Sequence, residues 1–217
     1  MANWADAGFV AFDTETTGVD VTDARIVTAA AVIFVGGEPV EQHSWLLKVD
    51  VPIPAVTTAV HGITDEISQR DGVDQADGLA GIRALLVSRG LPVVCFKSDF
   101  DLPILDANLR RIGLGPLPAL TDVCAYVIDK QWNKYVRGKN QRRLKPTAER
   151  YGIELSEDDW HGAEADAKVA GRILLAELAA YPALADMSAV ELAEAIGAWR
   201  QEQERDFQEW LSRQPPR

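Results

Sequence analysis

The sequence predicts an α/β protein: a mixed five-stranded sheet flanked by helices, with an extra helix at its C-terminal end. Three observations predict it. Residues 8–49 hold three apolar, β-branched runs joined by short turns, the pattern of an antiparallel meander. From residue 75 onward, helix-like stretches alternate with short apolar strands, the pattern of an α/β layer structure. Residues 188–213 open on a capping signal and carry an interrupted apolar stripe, which makes them a helix of their own.

In chain order, Gly8-Phe9-Val10-Ala11-Phe12-Asp13 is short and apolar and reads as the first strand. Arg25 to Val35 is longer and β-branched, as a central strand is. Gly36-Gly37 marks a tight turn into a third strand over about 39–49. A loop with Pro52 and Pro54 leads to His61-Gly62-Ile63-Thr64 at a helix boundary. Residues 75–89 read as a helix and 92–96 as a buried strand. Ser98 opens a helix to about Ile112; the acid at Asp101 makes the pair a capping box, and Pro103 falls in the first turn. A short strand over 116–121 and a helix over 122–132 follow, then a helix from Pro146 to Tyr151 that stops at Gly152. Ala163–Ala180 is a strong Ala- and Leu-rich helix ending at Tyr181-Pro182. In the tail, Ser188 and Glu191 form a capping box, and Leu192, Ile196, Trp199, Phe207 and Trp210 form the stripe. These divisions imply a main domain over 1–186 and a helical extension over 187–217 that packs on it or on a partner.

The 217 residues are enough for one sizeable core, and 47% hydrophobic with 25% charged residues is ordinary for a globular chain. Cys95 and Cys124 sit in apolar runs without metal spacing and read as buried small hydrophobes. No Lys or Arg precedes Arg25, and no apolar run approaches a membrane span, so the cytoplasm is the expected compartment, with no membrane partner. The net charge of −11 argues against a protein that coats nucleic acid. Its distribution is uneven. Eight basic and two acidic residues between Asp129 and Arg150 leave that window at +6 and the rest of the chain at −17. Such a window is either a solvated face or a local grip on a polyanion.

Three segments carry chemistry. In Phe12-Asp13-Thr14-Glu15-Thr16-Thr17-Gly18, Asp13 and Glu15 project to one side of a strand end. Carboxylates so placed repel each other unless a hard divalent cation compensates. By itself the pair is equally a surface feature; the turn that follows favours the cation. In Phe100-Asp101-Leu102-Pro103, Asp101 lies a helical turn from core-facing Ile104 and Leu105, and alone it reads as an acid at a helix N-terminus. In His161-Gly162-Ala163-Glu164-Ala165-Asp166, Asp166 shares a helix face with Val169, Ala170 and Ile173, and His161 stands just ahead with a pKa suited to a general base. Glu164, Asp158 and Asp159 read as solvated. Four acids and a histidine match what phosphodiester hydrolysis needs: carboxylates to hold two metal ions, and a base for the attacking water.

The order Asp13-x-Glu15, Phe100-Asp101 and His161-x-Ala163-x-x-Asp166 resembles the three motifs of the DEDDh (DnaQ-like) 3′–5′ exonucleases, which include the epsilon proofreading subunit of bacterial DNA polymerase III. The resemblance covers roughly residues 6–182. Val60-His61-Gly62-Ile63-Thr64 is similar to a stretch of the epsilon-like branch, and the tail resembles stand-alone actinobacterial and phage members. The resemblance implies an RNase H-like fold, two Mg²⁺ or Mn²⁺ ions and 5′-mononucleotide products. It implies Asp13, Glu15, Asp101 and Asp166 as metal ligands and His161 as the base. Thr14, Thr16, Thr17 and His61 fall where such proteins contact the terminal nucleotide. Where the family often has His-Asn-Ala, this chain has Phe96-Lys97-Ser98, which places Lys97 near a substrate phosphate and leaves substrate preference open. Lys134, Arg137 and Lys139 are expected to guide the backbone, with Trp132 and Tyr135 either stacking on bases or packing. The expected substrate is the 3′ end of single-stranded DNA, with RNA as the alternative and a polymerase or other replication protein as a candidate partner. A non-catalytic interaction module is the competing class, favoured only by the tryptophans of the tail.

Overall fold

The computed structural model describes residues 3–138, 140–154 and 162–214. A five-stranded sheet in the order β3-β2-β1-β4-β5 forms the centre. The strands β1 (Phe9–Thr16), β2 (Ile26–Val35) and β3 (Glu38–Leu46) make the expected antiparallel meander. β4 (Val93–Cys95) and β5 (Asp122–Cys124) join parallel to β1. The expected mixed sheet is therefore present, and the two faces are filled by different clusters. On one face Phe9, Ala11, Val32 and Phe34 meet Ala167, Leu174 and Leu178. On the other, Val10, Phe12, Ala31 and Ile33 meet Leu79, Ile82, Ile104 and Leu105. Adjacent residues in β1 thus serve opposite helical layers and residues two apart serve the same one, as strand pleating requires.

Around the sheet lie α1 (Trp4–Ala7), α2 (Ala55–His61), α3 (Asp65–Asp71), α4 (Gln75–Ser88), α5 (Ser98–Arg111), α6 (Ala125–Trp132), α7 (Leu144–Arg150), α8 (Ala163–Ala180), α9 (Pro182–Ala185) and α10 (Ala189–Ser212). Three expectations need correction. The strand expected at 116–121 is β5, and it takes Asp122–Cys124 from the helix expected at 122–132, because parallel pairing with Val93–Cys95 overrides the local helical pattern. Helices α2 and α3 occupy a stretch read mainly as loop; each is only seven residues long and too short for a periodic signal. Ser98 is not a cap. Lys97 takes the N-cap position without a side-chain bond, and the Ser98 hydroxyl donates to Asp122 Oδ2 at 2.9 Å instead.

Two close fits fix the helices that matter for the site. Helix α8 rests on the sheet at Gly171, where a Cβ would lie 2.6 Å from the ring of Phe34. Phe34 in turn stacks on Phe9 at 4.8 Å. Helix α5 is tied to the meander by buried Asn108, which donates to the carbonyls of Ala24 and Ile104 and accepts from the Ile26 N–H at 3.3 Å. Helix α10 has the expected capping box at Ser188 and packs across β5 and α6 through Leu192 and Ile196, with Gln203 donating to the Val127 carbonyl at 3.1 Å. Cys95 and Cys124 are both buried and unbridged. No described helix is long and apolar enough to cross a membrane.

Candidate active site

The site forms at the C-terminal end of β1, where the sheet gives out. Parallel pairing to β4 covers only Val10 and Ala11, so the backbone of β1 beyond them has an open edge. Asp101, in the first turn of α5, fills that edge: its Oδ1 accepts from the Thr14 N–H at 3.1 Å and the Thr14 hydroxyl at 2.7 Å. Asp13 and Glu15 point to the other face, toward α8. There Asp166, in the first turn of α8, joins them, and one carboxylate oxygen from each of the three lies within 4.8 Å of the others. Asp101 is 3% exposed and stands beside this cluster. All four acids taken from the sequence thus converge on one strand end.

The electrostatics are those of crowded, partly buried carboxylates. Burial, then the charges of Asp101, Asp166 and Glu15, push the Asp13 carboxyl well above its usual range. Burial and then Asp166 raise Glu15 to about 7. Burial also raises Asp101 to about 7, against the two Thr14 hydrogen bonds that favour its charged form. An oxygen-rich group of carboxylates in which burial and neighbouring acids make Asp13, Glu15 and Asp101 resist ionisation fits a hard divalent cation. Divalent metal dependence follows from this donor set.

Other expected residues take defined places. The hydroxyls of Thr16 and Thr17 are engaged locally: Thr16 donates to the Gly18 carbonyl at 2.7 Å, and Thr17 accepts from the Arg25 N–H at 2.9 Å. A nucleotide touching this segment has to share them. His61 is buried, at the C-terminal end of α2 and followed by left-handed Gly62 at φ +74°. Its Nδ1 accepts from the Ile63 N–H at 3.1 Å, which leaves the proton on Nε2, and Nε2 has no partner among the described residues. Burial holds its pKa below the ordinary imidazole value, offset in part by the Thr16 backbone. His61 lines a cavity of about 330 Å³ with Thr28, Ser44, Leu46, Ile63 and Ala163. Cross-strand register sets Thr28 beside Glu15 and Ala30 beside Asp13, so this cavity adjoins the acids on the α8 face.

Lys97 is exposed at the N-cap of α5, its Nζ 5.6 Å from the centre of the Tyr126 ring. Lys134 and Arg137 lie farther away, in a groove against α10. Trp132 packs on Tyr181 at 4.8 Å, whereas Tyr135 is 87% exposed. Glu164 is half-buried rather than loose in solvent: it accepts from Ser44 and pairs with Lys168, both at 2.8 Å. His161, Lys139, Asp158 and Asp159 lie outside the described residues. Asn108 is a residue that motif reading missed. It stands two helical turns after Asp101 on the same buried face, and a lone Asn in that apolar row was the available signal.

The sequence matches the exonuclease family RNase_T over residues 10–174. It is 27% identical over 172 residues to the PolC-type DNA polymerase III of Mycoplasma genitalium, covering 78% of this chain and 11% of that protein. A second relative, the PolC-type enzyme of Mycoplasma pneumoniae, is 34% identical over 113 residues, 52% of this chain and 8% of the polymerase. The chain therefore spans about a tenth of the length of these relatives. Among solved structures, E. coli Exonuclease I in complex with a dT13 oligonucleotide superposes with TM-score 0.67 at 19% identity, over 79% of this chain and 40% of that one. Exonuclease X in complex with 5′ overhanging duplex DNA gives TM-score 0.63 at 18% identity, over 87% and 99%. The strand order, the acid cluster at the end of β1 and the family match together place the chain in the DnaQ-like exonuclease family, as a hydrolytic nuclease with an RNase H-like fold.

Proposed function

We propose that this protein is a 3′–5′ exonuclease that releases 5′-mononucleotides from the end of a single DNA strand. The observation that carries the reading is the convergence of Asp13, Glu15 and Asp166 with Asp101 at one strand end. Asp13, Glu15, Asp101 and Asp166 would hold two Mg²⁺ or Mn²⁺ ions. Bound there, the ions would polarise the phosphoryl group and offset the charge that builds on the attacking and leaving oxygens. The remaining roles fall to the chain itself. His161, one motif position ahead of Gly162, takes a proton from the attacking water. Water oxygen bonds to phosphorus as the bond to the 3′ oxygen breaks, and that leaving oxygen takes up a proton, from solvent or from the protonated His161, to become the 3′-hydroxyl of the shortened strand. The His61 cavity is the place for the terminal nucleotide, with Nε2–H as donor and Thr28, Ser44 and Ala163 among its lining.

DNA is preferred because the matched relatives are DNA polymerases and the superposed exonuclease holds dT13. A replication setting is the corresponding proposal for its partner, and residues 1–186 are the proposed catalytic unit. Residues 187–217 close it: Leu192 and Ile196 are buried, so deleting 188–217 lowers the melting temperature, whereas a pure recruitment tail leaves it unchanged. The activity test is a 5′-labelled oligonucleotide, as DNA and as RNA, with Mg²⁺ or Mn²⁺. A ladder shortening from the 3′ end on DNA, lost with EDTA and with Asp13→Ala, is the expected result. No shortening with either metal rejects the reading; faster shortening of RNA moves it to an RNA exonuclease.

A further inference from the structure

The acid cluster repels a polyanion, and the chain outside 129–150 carries −17, so a strand needs a landing place away from the acids. One exists. A cavity of about 300 Å³ separates α10 from the stretch that follows α6, with Lys130, Lys134, Arg137 and Arg142 on one wall and Phe207 on the other. An adjoining cavity of about 420 Å³ shares Val136 and Arg142 with it and runs on to Arg143, Asn140 and Lys97. The Lys97 carbonyl accepts from the Asp101 N–H at 3.3 Å. The two cavities thus adjoin at Val136 and Arg142, and the second reaches Lys97, one helical turn before Asp101.

Of the cations along these cavities, Arg142 is paired with Asp129, while Lys134 and Arg137 make no ion pair among the described residues. Burial and the neighbouring Arg142 depress the Lys130 ammonium below its usual pKa, with Glu204, Asp206 and Asp99 partly offsetting this. The α10 wall is different. It carries Glu202 and Asp206, which no phosphate can face, and ends in Phe207 stacked on Trp210 at 6.0 Å, both about half exposed. Cations on one wall and open aromatic rings on the other are the two sides a single strand presents: phosphates and bases.

We propose that this groove is a second binding site for the single strand, upstream of the nucleotide being removed, with phosphates on Lys130, Lys134 and Arg137 and a base on Phe207. It rests on the single-strand exonuclease reading above, and extends it from the strand end to the strand body.

The test compares wild type with Lys134→Gln/Arg137→Gln and with Phe207→Ala, on single DNA strands of about 20 and about 3 nucleotides, since such grooves span several nucleotides. Melting temperatures confirm that the variants are folded. The wild type is expected to favour the long strand through KM. Each variant is expected to lose about tenfold of that preference with kcat within about twofold, and the double variant to flatten the salt dependence of log KM by about 0.7 per lost cation. Unchanged length preference and salt slope in an active enzyme overturn the groove assignment and leave the activity intact. Anisotropy of a labelled strand on Asp13→Asn, in EDTA, gives the converse separation. If wild type cuts neither length yet the groove substitutions still weaken binding there, the exonuclease reading falls and the groove stands. A polyglutamate peptide that displaces the strand at equal charge concentration assigns the groove to an acidic protein segment and overturns the proposal.

Discussion

Two aspartates, one half-buried and one buried, set the two halves of this molecule apart. Asp13, at the end of β1, stands among like charges, and its carboxyl is driven well up from its usual range by burial, Asp101, Asp166 and Glu15. Asp129, 1% exposed at the end of α6, stands between guanidinium groups: Arg142 at 2.9 Å and Arg150 at 2.8 Å. Asn133 and Tyr151 also donate to it, and Tyr181 donates to Asn133. The first aspartate is a structural liability kept for what it can bind, and the second is a structural asset with nothing further to bind. The same contrast revises the basic window, because two of its eight cations are consumed inside the protein. What is left for a strand is the exposed remainder, Lys134 and Arg137 among it.

The contrast breaks or sharpens first on activity. Asp13→Asn is expected to lower the rate on the order of 10³-fold or more, as loss of a principal charge-stabilising group does. In the metal-free protein the same substitution is expected to stabilise, by about 1–3 kcal/mol, because it removes one of four mutually repelling acids. That is a rise of several degrees in melting temperature for a chain of this size. A lower melting temperature in EDTA would mean that the Asp13 carboxylate is structurally satisfied and that no cation is wanted there. His161→Ala is the companion: a rate lower by about 10²–10⁴-fold with divalent-ion binding intact, read by kcat and by metal titration. Wild-type rates in that variant would remove the base assignment.

Asp129→Asn is expected to do the reverse of Asp13→Asn. It leaves two guanidinium groups facing a neutral amide, and breaking a buried pair this way costs about 3–5 kcal/mol. Thermal unfolding should show a fall of about 10 °C. The chemistry at the acid cluster, followed on a short oligonucleotide, should survive at temperatures where the variant is folded. If Asp129→Asn melts like wild type, the two regions do not differ as described.

These two regions also differ in how readable they were. The acids of the site lie in short motifs on one strand end and two helix starts; alternation and helical spacing put them forward only as candidates, and it took their order and its resemblance to the DEDDh motifs to join Asp13, Glu15, Asp101 and Asp166 into one site. The meander and α8 were legible for the same reason, since long runs carry a strong period. Asp129 was counted only as a charge, because its partners lie 13 and 21 residues away and nothing local marks them. Ser98 misled: its spacing to Asp101 looks like a cap, but β5 offers Asp122 as a better acceptor, and α10 adds Arg200 at 2.8 Å. Asp122–Cys124 looks helical by itself and is a strand only because β4 lies beside it. The groove under α10 was invisible for a related reason. Its cations were noted, but its other wall comes from Phe207, a long way down the chain.

The most gradual effect is a pH dependence, and its sign follows from the raised carboxyls. Glu15 titrates near 7 in the folded, metal-free protein against about 4.5 as its ordinary value, and Asp101 also near 7. Below about pH 3 both groups are protonated folded and unfolded, and they contribute nothing to the balance. Between about pH 4.5 and 7 the unfolded chain releases these protons while the folded chain keeps them, so the folded state binds more protons and stability falls as pH rises. Above about pH 7 the loss is complete, at roughly 3 kcal/mol for Glu15 alone. Denaturant unfolding in EDTA should therefore show a midpoint that declines from pH 5 to about pH 7 and then levels. Saturating Mg²⁺ should restore stability most at the upper end, because a cation binds the ionised form and favours the folded state by mass action. The same titration on Asp129→Asn should keep that slope, since Asp129 belongs to the other network, whereas Asp13→Asn should flatten it. A slope of opposite sign in the wild type would place these carboxylates in a site already compensated by protein charge, and the case for a cation at the end of β1 would fail.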